Sequence, residues 1–293
     1  MHVKRLLNKS EEVTNERLCE VCAKYGAHIS PKIRVADILP VENSGIDDSH
    51  YEYALKSHFD FVVSDEAHFP VFAVEFDGPV HGDDVQRARD EKKNRLCERF
   101  EFPLLRVNAN YLEKEYRGMT LLTWFVEVWY AKQAFDAAQE NGQIPLDEPF
   151  MPWGMAGIPE RKNTFPLWLS ANVRLKIQEY RLNGRVLDMM PSLLIGMDGN
   201  GNYRAIAFLR IDEETGVFTK TGMRTQRFPV AESEALDEIV VCELYEALKE
   251  TLNGDRDPTS RAKIEEGIRE FEGAVSIVRA AYCGGSYPIQ GPK

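Results

Sequence analysis

Apolar residues recur at two spacings along this chain, and the switches between them mark its elements. Over residues 10–25, Val13, Leu18, Val21, Cys22 and Tyr25 form a rough helical stripe with Ser10 at the N-cap position. Residues 29–39 read as a strand with irregular ends, and residues 41–51 as a polar loop. Residues 59–63 and 71–77 alternate with the period of strands. Residues 84–100 read as a helix, 103–108 as a strand, and 116–141 as a long helix with aromatic residues on much of its surface. The order α-β-β-β-α-β-α predicts an α/β (mixed α+β) core, a central mixed sheet flanked by helices.

The pattern changes after residue 143. Residues 144–168 hold Pro145, Pro149, Pro152, Pro159 and Pro166 with little periodicity, a linker or an ordered wrap. Beyond them, residues 192–197, 203–211 and 217–222 read as strands joined by the Gly-containing turns 198–201 and 212–216. Residues 233–252 and 259–280 read as amphipathic helices. The expected division is a domain over 1–143, a linker over 144–168 and a smaller C-terminal α+β domain over 169–293.

Parity along the two central strands separates their faces. Phe59, Phe61, Val63, Phe72, Val74 and Phe76 are expected on a core face. Asp60, Val62, Ala73, Glu75 and Asp77 are expected opposite, so three carboxylates share one face. A hairpin closed around Ala67 and His68 puts Asp60 across from Glu75. Facing like charges are destabilising unless a cation or basic side chains stand between them. A hard divalent ion with oxygen ligands is the economical expectation, and an uncoordinated acidic sheet face is the bland one.

Composition narrows the classes. Hydrophobic residues make up 43% of the 293, enough for a core, and the net charge is -11. That charge argues against a protein that coats nucleic acid by itself, since such affinity comes from Lys and Arg on phosphates, but it leaves room for a local basic cleft. Five scattered cysteines include the pair Cys19 and Cys22 with no second pair at zinc-ribbon spacing, so buried free thiols are expected. The polar, basic N-terminus lacks an apolar run, and residues 119–131 are too short for a bilayer and interrupted by Glu127. A soluble, cytoplasmic protein with no membrane partner is expected.

Two features near the acids carry chemistry. The strand end Asp77-Gly78 is followed by His81, which could hold a water or accept a proton. The next helix is locally basic. On its wheel Val85, Leu96 and Phe100 define an inward stripe, Arg89 falls within it and Lys93 lies on its flank. Such cations are either snorkelling structural stems or groups aimed at the acids and a phosphate.

Taken in order, Phe59-Asp60, Val74-Glu-Phe-Asp-Gly78 with His81, Asp90-x-x-Lys93 and Leu104-Leu-Arg-Val107 resemble the PD-(D/E)XK nuclease superfamily. The similarity is greatest to the branch of very-short-patch mismatch-repair endonucleases and related bacterial domains. The segment Ser30-Pro-Lys-Ile-Arg-Val-Ala-Asp37 also looks like that branch, and the resemblance spans residues 11–112. It implies a restriction-endonuclease-like core, Mg²⁺ or Mn²⁺ as cofactor, and Asp60 and Glu75 as metal ligands, with Asp77 a third. Asp77 stands where the superfamily has Lys, and that role is implied to pass to Lys93. Asp90 and Glu16 match accessory positions, with Glu20 or Glu12 as alternatives to Glu16, and His81 matches the branch histidine.

The expected activity is metal-dependent hydrolysis of phosphodiester bonds, in DNA rather than RNA, in restriction, repair or anti-phage defence. Asp60, Glu75, Asp77, Lys93 and His81 are the candidate catalytic residues, with Lys93 or His81 orienting or deprotonating water. Arg89, Lys92 and Arg106 are expected to bind nucleic acid. The amine of Lys93 is expected to point at Glu75 or Asp77, and Lys93→Ala to abolish cleavage while leaving metal binding and thermal stability nearly intact. The competing reading is a catalytically inactive nuclease-fold subunit that binds nucleic acid or a protein partner. A third, a small-phosphoester hydrolase, lacks the dense His/Asp set of such sites. The C-terminal domain is expected to serve specificity, homodimerisation or a protein partner.

Overall fold

The computed structural model describes residues 5–78, 84–152, 168–230 and 232–282. Internal contacts divide the chain into two units. One is Met1–Leu167 with Gln226–Val230, and the other is Trp168–Thr225 with Ala231–Lys293.

The first unit is mixed α+β. Helix α1 (Lys9–Cys22) starts at Asn8, not at Ser10. The Asn8 side chain accepts from the Glu11 amide while the Glu11 carboxylate accepts from the Asn8 amide, a reciprocal cap that satisfies two otherwise orphaned donors. A 3₁₀ turn over Ala23–Tyr25 ends at Gly26, whose φ of +66° suits a residue without a Cβ. Strand β1 (His28–Arg34) follows, then the one-turn helix α2 (Val35–Ile38). The expected strand therefore stops five residues early. Helix α3 (Asp48–Lys56) begins inside the stretch expected as a loop and runs five residues beyond it; Asp47 caps it by accepting from the His50 amide, and Ala54 is its buried residue.

Strands β2 (His58–Ser64) and β3 (Pro70–Phe76) form the anticipated hairpin. Asp65 Oδ1 accepts from the Ala67 and Phe69 amides, and His68 takes φ +67° to complete the turn. Helix α4 (Asp84–Arg99) then carries the chain to β4 (Leu104–Val107). The sheet order is β1-β2-β3-β4, with β1/β2 and β2/β3 antiparallel and β3/β4 parallel, as a helical crossover requires. Helix α5 (Ala109–Glu113), a two-strand ribbon β5 (Glu115–Tyr116) and β6 (Met119–Thr120), and helix α6 (Leu121–Glu140) complete the unit. The long terminal helix thus begins five residues later than its apolar pattern suggested.

Helices cover both faces of this sheet. Phe72 packs its ring on Trp129 and Tyr130 of α6. On the other face Val62, Ala73 and Leu104 pack with Leu96 and Cys97 of α4, Ala54 of α3, and Val35 and Leu39. The expectation of one core face and one acidic face is corrected: Val62 and Ala73 are as buried as Phe61. Burial of each side chain of Leu or Val size contributes about 1.5–3 kcal/mol, so a sheet covered twice gains on both sides. Phe59 also packs in the cluster with Val62 and Ala73, although strict alternation puts it elsewhere.

In the second unit β7 (Ser192–Asp198), β8 (Tyr203–Arg210) and β9 (Thr215–Met223) follow helix α7 (Ala171–Leu182), which sequence periodicity did not reveal. Helix α8 (Glu232–Asn253) packs on β8 and β9. The stretch expected as one helix over 259–280 is three elements: β10 (Thr259–Ser260), α9 (Arg261–Ala274) and β11 (Val275–Ala281). β-Branched Val275, Ile277 and Val278 favour the strand, which pairs with β7. The antiparallel sheet runs β10-β9-β8-β7-β11, with Ile264, Ile268 and Phe271 of α9 packed on Leu194, Ile206 and Phe208. No helix among the described residues is long and apolar enough to cross a membrane.

Candidate active site

The sheet of the first unit opens at one end, where β2 and β3 part. Phe61 pairs with Val74, and one further step of that register sets Asp60 opposite Glu75. There the side chains enter between the strands. The Asp60 amide donates to Glu75 Oε1 at 3.1 Å, and the Phe76 amide donates to Asp60 Oδ2 at 2.9 Å. Each carboxylate thus takes the place of its own strand's backbone carbonyl as acceptor for an amide of the other strand.

The like-charge problem is met by ammonium groups. Lys93 Nζ of α4 donates to Glu75 Oε2 at 2.7 Å and to the His58 carbonyl at 2.8 Å, with its amine 5.6 Å from the centre of the Phe59 ring. Lys93 is 6% exposed and Glu75 7%, so this pair is held out of water. Lys32 Nζ of β1 donates to Asp60 Oδ1 at 2.6 Å and to Glu11 Oε1 of α1 at 2.8 Å. Burial raises the pKa of Glu75 above its ordinary 4.5, with Lys93 opposing and Asp60 reinforcing the rise. For Lys32 burial works against the charge, yet the hydrogen bonds to Asp60 and Glu11 outweigh it and the pKa is raised. Basic side chains, which ranked behind a divalent ion as an expectation, engage these carboxylates one each, Lys93 on Glu75 and Lys32 on Asp60.

Asp77 belongs to a second network. Its carboxylate accepts from Arg106 of β4 at 2.7 Å. The same guanidinium reaches Asn94 Oδ1 at 3.1 Å and Asp90 Oδ1 at 3.5 Å. Burial opposes the charge of Arg106, but Asp77, Asp90 and Glu75 together hold its pKa up. Arg106 is 4% exposed and clamped from behind, its amide donating to Gln226 Oε1 and its carbonyl accepting from Gln226 Nε2. It cannot serve as the expected phosphate contact; it holds Asp77 and Asp90.

Other expectations are corrected on α1 and α4. Glu16 is exposed, whereas Glu11 reaches the site. Five helical residues separate them, a rotation of about 140° from the stripe of Glu11, Thr14, Leu18 and Cys22. Val85 and Arg89 are exposed, so the inward stripe of α4 begins only at Lys93 and continues through Leu96 and Cys97. Lys92 donates to Ser49 of α3. Of the pair expected as buried free thiols, Cys22 is buried but Cys19 is exposed; Cys97 and Cys242 are buried free thiols as well. His81 and Cys283 lie outside the described residues.

Between α3 and α4 runs a cleft of about 810 Å³. Glu75 and Lys93 reach it from inside, and Lys56, Arg89 and Lys92 line it beside Glu52 and Asp90. Within it Tyr53 has its pKa pushed up to about 12, chiefly by burial. No group of three or more His, Cys, Asp or Glu side chains among the described residues is gathered as a metal cage. Asp60 and Glu75 nonetheless form a hard oxygen set. A carboxylate has about four lone-pair positions, and the protein bonds described above use two on each. The free positions suit Mg²⁺ or Mn²⁺ completed by water.

Residues 3–120 match a family described as "Protein of unknown function (DUF2726)". No curated protein and no solved structure matches the chain. The DUF2726 match takes in Glu11, Lys32, Asp60, Glu75, Asp77, Lys93 and Arg106, and stops one residue before α6. It therefore contains all of the charged site, but neither the α6 cover of the sheet nor Gln226. Sequence reasoning missed Glu11 and Lys32. The available signal was Lys32 itself, a cation in β1 at the register position facing Asp60.

Proposed function

We propose that the first unit is a metal-dependent nuclease that hydrolyses phosphodiester bonds, in DNA rather than RNA. The observation that carries the reading is the convergence of Asp60, Glu75 and Lys93 at the splayed ends of β2 and β3, with the last two opening on a cleft lined by cations. The strand order, two antiparallel pairings and then a helical crossover to a parallel strand, agrees with the nuclease scaffold that the motifs resemble. Asp60 and Glu75 would hold one Mg²⁺ or Mn²⁺. When bound, such an ion activates water and neutralises charge on the scissile phosphate. Lys93 opposes the rise in the Glu75 pKa that burial causes, and adds a fixed positive charge where negative charge develops. Asp77 acts through Arg106, as a positioning residue.

The test is incubation of the full chain with supercoiled plasmid and single-stranded DNA and RNA in Mn²⁺. Cleavage that EDTA and Glu75→Gln both abolish is expected. No cleavage of any substrate by protein that binds Mn²⁺ would refute the enzyme reading.

A second reading has its own support. Asp60, Glu75 and Asp77 are each engaged by a fixed cation of the protein. That self-neutralised arrangement, with the net charge of -11, favours an inactive nuclease-fold subunit that binds nucleic acid or a protein partner. Retarded migration of DNA without cleavage, unchanged in Glu75→Gln, would select it.

A further inference from the structure

We infer that the site takes one divalent ion and not two, because the ammonium of Lys32 occupies the place between Asp60 and Glu11 where a second ion would sit. The inference rests on the reading of Asp60 and Glu75 as ion ligands and deepens it.

Three observations carry it. Lys32 has φ +55°, the left-handed region that a residue with a Cβ adopts only under constraint. Its neighbours Pro31 and Ile33 keep their pairing with Phe61 and Phe59, so the departure is confined to the one residue facing Asp60. The backbone bends there and the amine arrives between two carboxylates, 2.6 Å from one and 2.8 Å from the other.

Glu11 is held as firmly as a ligand would be. It is 8% exposed, and its second oxygen accepts from the Asn8 amide in the cap of α1. Electrostatics gives the third argument. Glu11 and Asp60 already share the one ammonium of Lys32. A second ion would have to enter against an ammonium already seated on the same oxygens.

Lys32 is thus a tethered cation, a positioning residue that fixes Asp60 and sets the ion count. Calorimetric and paramagnetic titration with Mn²⁺, beside thermal melts, tests this without relying on cleavage. Wild type and Lys32→Arg are expected to bind one ion per chain. Lys32→Met, and Lys32→Gln should the Met variant not fold, are expected to bind two. Adding Glu11→Gln, which keeps the cap of α1, is expected to return the count to one. Two ions in the wild type, or one in a folded Lys32→Met or Lys32→Gln variant, would overturn the inference while leaving the nuclease reading intact. No ion bound by the wild type would overturn the nuclease reading and this inference with it.

Discussion

Replacing Lys93 by Met keeps most of the apolar stem on Phe59 and removes the ammonium. Glu75 would then face a nearly water-free environment with no cation, and the His58 carbonyl would lose its donor. Removing one partner of a buried pair costs about 3–5 kcal/mol. With about 2–4 °C per kcal/mol, the melting temperature should fall by roughly 6–20 °C. Burial thus replaces the expectation that an Ala substitution here leaves stability nearly intact.

The penalty should depend on pH. Burial already raises the pKa of Glu75 above its ordinary 4.5, and loss of Lys93 raises it further. A carboxyl with a raised folded-state pKa binds a proton that the unfolded chain has released. Its contribution is therefore fully present below about 4.5 and is lost as pH rises through the folded-state value. Urea denaturation at pH 5 and pH 8 of wild type, Lys93→Met, Glu75→Gln and the double variant should show a penalty that is small at pH 5 and large at pH 8. Glu75→Gln in the Lys93→Met background should restore most of it. A penalty equal at the two pH values, or one that Glu75→Gln fails to relieve, would refute the argument.

Three other outcomes are expected. Gln226→Ala strips the buried Arg106 amide of its acceptor and should cost about 1–3 kcal/mol in chemical denaturation. Asn8→Ala removes the side-chain half of the reciprocal cap of α1, the Asn8 Oδ1 acceptor of the Glu11 amide, and should cost about 1 kcal/mol, measured the same way. Alkylation at pH 8 followed by peptide mapping should label Cys19 quickly. Cys22, Cys97 and Cys242, whose pKa values burial pushes up to about 12, should stay unlabelled until the protein unfolds.

Strongly periodic or alternating segments were legible in the sequence. The β2–β3 hairpin, α4 and α8 fall within a few residues of their expected positions because their apolar spacing is unambiguous. Helix α3 was missed because its first turn, Asp48-Ser-His, is polar and reads as loop until Asp47 is recognised as a cap. The helix expected over 259–280 hid β11 because Val275 and Val278 also satisfy a helical spacing. At the site, parity put Asp60 and Glu75 opposite each other and helix geometry aimed Lys93 toward them. Parity could not show that the strands part at that level, nor that a bend at Lys32 brings in another charge. It also could not show that Val62 and Ala73 lie under helices, since burial of a second face is a tertiary fact.

The strand β4 has a completion time. Its open edge is met by residues far along the chain: the Leu104 amide donates to the Arg227 carbonyl, and the Arg106 backbone is bound on both groups by Gln226. Arg106 and Gln226 are 120 positions apart. At a synthesis rate of about 5–20 residues per second, roughly 6–24 seconds pass between the emergence of the two. Over that interval the nascent chain presents the uncovered outer edge of β4 and an unanchored Arg106, the kind of edge that recruits other chains. A fragment ending before Gln226 never leaves that state. It should collect in the insoluble fraction or hold a chaperone, even though it carries every charged residue of the site.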